Sequence, residues 1–212
     1  AVKSIQELCQ TRLPKNMGIP ATEIQVLSPT RKGETGTKNL NLALQAVLNP
    51  PAARKKEKRY GDFSFREGDR VMQIRNNYDI LWKNPNGLGA GTGIFNGDIG
   101  VIVQIDYETE LVTVDFDDKR AEYAFALLGE LEPAYAMTIH KSQGSEYRAV
   151  ILSAFAGSPY LLTRSVLYTA ITRARELLIV VGDEEVLAAM VRNDRRQKRY
   201  SGLKLRLEEG TA

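Results

Sequence analysis

The chain has 212 residues, 43% hydrophobic and 26% charged, with a formal net charge of +3. That is enough apolar matter for one core and a second small one, and no apolar run approaches the ~18 residues of a membrane span. One cysteine, Cys9, and one histidine, His140, exclude a disulfide framework and a Cys/His zinc site; no carboxylate set for a metal stands out, and no signal peptide is visible.

The chain starts at Ala1 without a methionine and enters a helical pattern directly (Val2, Ile5, Leu8, Cys9), as expected of a fragment cut from a longer protein. The apolar run Ile24–Ser28 stops at Pro29 and suits a buried strand. A polar loop, SPTRKGETGTKN, follows. Leu40, Leu44, Val47 and Leu48 then recur at helical spacing, and Asn49-Pro50-Pro51 ends that helix.

From Asp69 the texture changes. RVMQIRN (70–76), DIGVIVQID (98–106), LVTVDFD (111–117) and AEYAFAL (121–127) are short alternating or β-branched segments. Turn signals separate them at Asn84-Pro85-Asn86-Gly87, Asn96-Gly97-Asp98 and Asp117-Asp118. Such spacing predicts a small antiparallel barrel.

At Ala134 the first texture returns. AYAMTI, AVILSAF and LLIVVGD read as strands buried on both faces, as in a parallel sheet. Ser158-Pro159 is an N-cap and first-turn pair for the helix before the last strand, and a final helix is expected after Asp183. The expected fold is α/β: a split parallel-sheet domain (1–64 and 133–212) with a small β-barrel inserted at 65–132.

Charge is unevenly spread. Residues 98–132 hold ten acidic residues and two basic ones, Lys119 and Arg120. Basic clusters occur at 54–59 and 192–199. They are either solvated faces and linkers or phosphate contacts; charge alone does not decide.

In an open parallel sheet, ligands bind at the carboxyl ends of strands. Thr30-Arg31-Lys32-Gly33 and HKSQGSE (140–146) follow strands, and Thr172-Arg173-Ala174-Arg175 lies on the helix before the last one. On a helical wheel Arg173 sits at the edge of the apolar arc. It either snorkels past the core or is aimed into a cleft. His140 is either a structural residue or a ligand contact; beside it, Thr138, Lys141 and Ser142 are groups that grip a phosphate backbone. Gly144 permits a tight turn or close ligand approach. Glu146 is either an acceptor for a sugar hydroxyl or a capping or surface carboxylate. No G-x-x-x-x-G-K-[ST] loop and no obvious acidic pair for magnesium are present, so the chain reads as half of a nucleotide site.

Taken together, these residues resemble the RecD-like branch of superfamily 1B DNA helicases, the exodeoxyribonuclease V alpha-subunit family. VLSPTRKGETGTKNLNLALQAVLNP resembles the fourth helicase motif, AYAMTIHKSQGSEY the fifth and LYTAITRARELLIVVGD the sixth. GDRVMQIRNNYD and FNGDIG resemble the opening of the SH3-like barrel inserted in these enzymes.

The resemblance implies a RecA-like second motor domain with an SH3-like barrel insert, belonging to an ATP-dependent 5′-to-3′ DNA helicase of repair and recombination. It implies that Arg31 and Arg173 face the γ-phosphate, Arg173 as an arginine finger, a role worth about 10³–10⁵ in rate. It places Gly144 and Glu146 at the nucleotide, with Gln143 linking the ATP and DNA sides. Thr138, His140 and Lys141 would contact single-stranded DNA, with Asn76 and Asn77 as further DNA candidates at the insert's entrance. The implied cofactor is ATP with Mg²⁺, the magnesium ligands lying on the first RecA-like domain of the same polypeptide. By the same reasoning the isolated fragment is inactive, because it lacks the phosphate loop. The implied partners are single-stranded DNA, that first domain and other repair proteins, with no membrane, in the bacterial cytoplasm at the nucleoid. The acidic face of the insert is expected to meet another protein segment or keep strands apart. The competing reading is a non-catalytic module that binds single-stranded DNA or a repair partner.

Overall fold

The computed structural model describes residues 1–195 and Arg206. The basic segment at 192–199 is described only as far as Arg195; its remainder lies outside the described residues. The amino-terminal helix runs as α1 (Val2–Glu7), a π turn (Leu8–Arg12) and α2 (Leu13–Met17). Pro14 has no N–H to offer Gln10, and the wider turn ends where that bond is missing. Next come β1 (Ile24–Ser28), α3 (Thr37–Leu48), and a hairpin of β2 (Glu57–Tyr60) and β3 (Phe63–Arg66). Seven antiparallel strands follow: β4 (Arg70–Gln73), β5 (Asn77–Lys83), β6 (Ala90–Ile94), β7 (Ile99–Asp106), β8 (Leu111–Phe116), β9 (Lys119–Ala124) and β10 (Leu131–Pro133). The chain then forms β11 (Ala136–Thr138), β12 (Tyr147–Ala154), α4 (Arg164–Ile171), β13 (Ala174–Gly182) and α5 (Glu184–Arg192).

The first sheet has the order β11-β1-β12-β13 and is parallel throughout. Alternate side chains feed two cores. Ile24, Val26, Ala149 and Ile151 pack with Ile5, Cys9, Leu40 and Leu44 of the amino-terminal helices. Leu27, Val150 and Leu152 pack with Val166, Leu167, Ala170 and Met190 of α4 and α5. Helices therefore cover both faces, and all five residues of β1 are buried. β11 is an edge strand whose outward backbone is sealed by a side chain. Asn41 of α3 donates to the Ala136 carbonyl and accepts from the Ala136 N–H, both at 2.8 Å.

The second sheet has the order β10-β4-β7-β8-β9-β5-β6 around its own core of Phe65, Ile80, Ile94, Ile102, Tyr123 and Leu128. Its outer strands β10 and β6 do not pair, so the expected barrel is an open, curled sheet that never closes. Other expectations also change. The helix before the last strand starts after Thr163, whose hydroxyl accepts from the Val166 N–H, while Ser158 forms a preceding turn with Leu161. That helix ends at Ile171, so Arg173 lies in the turn into β13 and not on the helix. β13 is an edge strand and half-exposed, not buried on both faces. The 54–59 cluster is partly strand β2; Lys58 lies 4.0 Å from the Phe125 ring centroid, and Lys55 donates to Asn49.

The two sheets are joined at one buried carboxylate. Asp69 is fully buried, just before β4. It accepts from Gln45 Nε2 (2.6 Å) and Asn49 Nδ2 (2.7 Å) of α3 and its cap, from the Arg66 N–H (2.7 Å), and from the Tyr135 hydroxyl (2.9 Å). Burial pushes the Asp69 carboxyl above its ordinary value, against the pull of these four donors. Burial, reinforced by Asp69, also pushes the Tyr135 hydroxyl up, so it stays a donor. Asp69→Ala would leave several buried donors without an acceptor. We expect it to lower the unfolding free energy by about 3 kcal/mol in a urea titration, while Asp62→Ala, at an exposed pair with Lys38, leaves the midpoint unchanged.

Candidate functional site

Residues 138–147 leave the carboxyl end of β11 and return to the amino end of β12, with β1 between those strands. The connection therefore runs the length of the sheet. Ile139 and Ser142 are buried, and the Ser142 hydroxyl donates to the Ile139 carbonyl at 2.8 Å. His140, Gln143, Gly144 and Glu146 are exposed, and Tyr147 is buried again. A few inward-facing residues anchor the segment, and His140, Gln143, Gly144 and Glu146 face solvent.

At the carboxyl end of the sheet lies a crevice of about 890 Å³, lined by Thr30, Arg31, Lys32, Thr138, His140 and Ser158 among others. Its floor loop is held by its own side chains. The Ser28 hydroxyl donates to the Thr35 carbonyl (2.9 Å), and the Thr30 hydroxyl to that of Lys32 (3.2 Å). Gly36 is required there, since a Cβ would collide with the Lys32 carbonyl. Beside the crevice, Glu132 of β10 binds Arg31 Nη2 through one oxygen (2.5 Å) and Lys141 Nζ through the other (2.9 Å). Burial pushes the Glu132 carboxyl up, but the Lys141 ammonium and the Arg31 guanidinium outweigh it and hold it below its usual range. The pairing therefore persists as pH falls and is lost only below the ordinary carboxylate range.

At the amino end of β13, three hydrogen bonds fix Arg173. Nη1 donates to the Ser145 carbonyl (2.9 Å), Nε to the Thr169 carbonyl (3.2 Å) and Nη2 to the Thr172 hydroxyl (3.1 Å). The Arg173 carbonyl accepts from the Tyr147 N–H at 2.8 Å. A cleft of about 650 Å³ opens beside it, between this end of the sheet and the second sheet; Ser145, Glu146, Tyr147, Arg70 and Tyr135 are among its lining.

The structure thus brings Arg31, Thr138 and His140 together in one crevice, with Lys141 joined to Arg31 through Glu132. It brings Glu146 into the second cleft, beside the Ser145 that holds Arg173, with Gly144 in the turn before it. It does not bring Arg31 and Arg173 together: one follows the carboxyl end of β1 and the other precedes the amino end of β13. Asn76 and Asn77 stand apart on the second sheet, and their amides are used within it. Asn76 Oδ1 accepts from the Asn96 N–H (2.9 Å), and Asn77 Nδ2 donates to Glu130 (2.9 Å). Among the described residues no group of three or more His, Cys, Asp or Glu side chains is arranged to hold a metal ion.

Sequence pattern alone does not single out Glu132 or Arg70. Lys32 is legible as the neighbour of Arg31. Glu132 is not, since it meets Arg31 from 101 positions away and lies in an acidic run that reads as a partner-facing surface.

Comparison with known proteins adds the following. Residues 40–116 match the family model described as "ATP-dependent RecD-like DNA helicase SH3 domain", and residues 133–181 match "UvrD-like helicase C-terminal domain". The chain is 35% identical over 168 residues to the ATP-dependent RecD2 DNA helicase of Deinococcus radiodurans, covering 79% of this chain and 21% of that one. It is 39% identical over 118 residues to the RecBCD enzyme subunit RecD of Mycobacterium tuberculosis, covering 56% of this chain and 20% of that one. The chain thus spans about a fifth of the length of these curated relatives. A solved structure described as "Structural Basis for DNA Unwinding at Forked dsDNA by two coordinating Pif1 helicases" has a TM-score of 0.52 at 15% identity, over 99% of this chain and 48% of that one. This is a likeness of fold.

Gly144 has φ +89°, a left-handed value, and nothing stands within 4 Å of a Cβ built on it. Gly144→Ala therefore strains the backbone without a clash. We expect a loss of about 1 kcal/mol in urea unfolding; an unchanged midpoint would show that this turn relaxes freely.

Proposed function

The chain belongs to the RecD-like DNA helicases, and from that premise we propose that it is the second motor domain, with its SH3-like insert, of an ATP-dependent 5′-to-3′ helicase acting in DNA repair and recombination. On this reading residues 1–64 and 133–212 form the motor domain and 65–132 the insert. The polarity follows from the resemblance to the family.

One observation carries the proposal. The 138–147 connection begins at the crevice lined by Arg31, Thr138 and His140 and ends at Ser145, whose carbonyl fixes Arg173. A single short segment thus touches both ends of the sheet. At the crevice, Thr138, His140, Lys141 and Arg31 offer hydroxyl, imidazole and cationic donors to a single-stranded DNA backbone. On this reading Arg31 is assigned to the DNA side and not to the γ-phosphate that the resemblance implies for it. At the other end, Arg173 is the arginine finger, Gly144 lets the loop approach the nucleotide closely, Glu146 accepts from the ribose, and Gln143 joins the two sides.

The chain fits a nucleotide only in part. It supplies a pre-oriented guanidinium and no phosphate loop, so the phosphate cradle and the Mg²⁺ ligands belong to the first RecA-like domain. ATP, bound there, supplies the phosphoryl group whose developing charge Arg173 stabilises. A shift of Arg173 toward the γ-phosphate pulls on Ser145, and through it on the residues that hold DNA. Alternating grip then gives stepping. Among the described residues no helix is long and apolar enough to cross a membrane. From the family resemblance we place the protein in the cytoplasm, at the nucleoid, with other repair proteins as partners.

In the full-length protein, Arg173→Ala should reduce DNA-stimulated ATP hydrolysis by about 10³-fold or more while leaving ATP binding in place; unchanged turnover would rule out the finger. The 212-residue chain alone should show no DNA-stimulated hydrolysis. Alanine at both Thr138 and His140 should weaken single-strand binding by about tenfold in a salt series, and equal affinity would leave them as structural residues.

A further inference from the structure

Glu132 stands apart from the helicase motifs, yet its two oxygens bridge Arg31, which lines the crevice, and Lys141 beside it. Its side chain is 25% exposed, that of Lys141 27% and that of Arg31 64%. Pairs this exposed contribute little to stability. Their effect falls instead on the cations, which are held beside one another and partly neutralised.

A carboxylate that bridges two cations through separate oxygens presents the geometry of a phosphodiester's two non-bridging oxygens. Glu132 also belongs to the insert. It lies in β10, registered against Met72 of β4, just before the chain returns to β11. The loop after β1 and the loop after β11 are therefore tied through Glu132 to the last strand of the second sheet.

We propose that Glu132 is a built-in competitor for the DNA phosphate. It occupies Arg31 and Lys141 when the crevice is empty and yields them to a backbone phosphate of single-stranded DNA, which releases β10 from both loops. This rests on the crevice being the DNA side. It gives Glu132 two effects: it lowers the resting affinity for DNA, so that the strand is let go between steps, and it makes the insert sense whether the crevice is filled. Glu132 is thus a counter-ion for the DNA-binding cations Arg31 and Lys141.

The test is binding of a fluorescently labelled oligothymidylate to the 212-residue chain by anisotropy across a salt series, for wild type and Glu132→Gln. Glutamine keeps the shape and removes the charge. The variant should bind about fivefold tighter at low salt. Its log–log salt slope should stay near the wild-type value, because Arg31 and Lys141 reach the DNA in both. A strut that merely braces the loops would weaken binding, and that result overturns the proposal. Should Glu132→Gln lose its fold by circular dichroism, Glu132→Asp, too short to reach both cations, is expected to show an intermediate gain; affinity equal to wild type would overturn the proposal. Wild-type chain with no salt-dependent binding would remove the DNA reading of the crevice itself, whereas wild-type binding with unaltered variants would remove only the role of Glu132.

Discussion

Much of this structure depends on a carboxylate with no ion-pair partner among the described residues. Asp69 takes four hydrogen bonds from α3, from the residue after it, from the approach to β4 and from the approach to β11. These are the places where the chain leaves the parallel sheet and comes back. A buried carboxylate is costly unless its oxygens are satisfied, so these segments are held at one spacing. Neighbouring residues extend the constraint. Arg70 donates to the Ile24 carbonyl at 3.3 Å, tying β4 to the start of β1. Gly68, at φ +90°, faces the Asn49 amide, where a Cβ would press at 3.2 Å. With the junction fixed, β10 runs where Glu132 reaches Arg31 and Lys141.

The polar connection at 138–147 obeys a related rule. A parallel sheet needs a crossover, and here the crossover is a short loop holding a single 3-10 turn, Ile139–Ser142. It survives between two core strands because Ile139, Ser142 and Tyr147 fill the interior, leaving the intervening residues to solvent. The Ser145 carbonyl then finds its donor in Arg173. Exposed chemistry and buried anchoring thus share one segment.

Much of the parallel sheet is legible in the amino-acid pattern. Apolar runs at 24–28 and 149–155 read as strands covered on both faces, and the Leu40, Leu44, Leu48 spacing reads as a helix laid on them. The antiparallel texture from Asp69 onward is equally plain. What fails to show has local reasons. Ser158-Pro159 carries a helix-start signal, but a turn closed on the Ser158 carbonyl delays the helix until Thr163. LLIVVG is apolar enough for a central strand, yet it occupies the sheet's edge, since strand order depends on pairings and not on composition. The open second sheet escapes for the same reason, because alternation specifies a curled antiparallel sheet and says nothing of whether its last strand meets its first.

By itself the sequence determined most element types, the return of parallel-sheet texture after an antiparallel stretch, and the residues with chemistry to offer: Arg31, Thr138, His140, Lys141, Glu146 and Arg173. These are local properties, written in periodicity, turn residues and motif spacing. Only the tertiary structure decided which of them meet. Arg31 and Arg173 lie at opposite ends of the sheet because all four strands run parallel, and one arginine follows a strand while the other precedes one. Glu132 became the partner of Arg31 through the Asp69 junction and the β4–β10 register. A counter-ion 101 residues away in the chain leaves no periodic trace, for the charge that finds it acts through space.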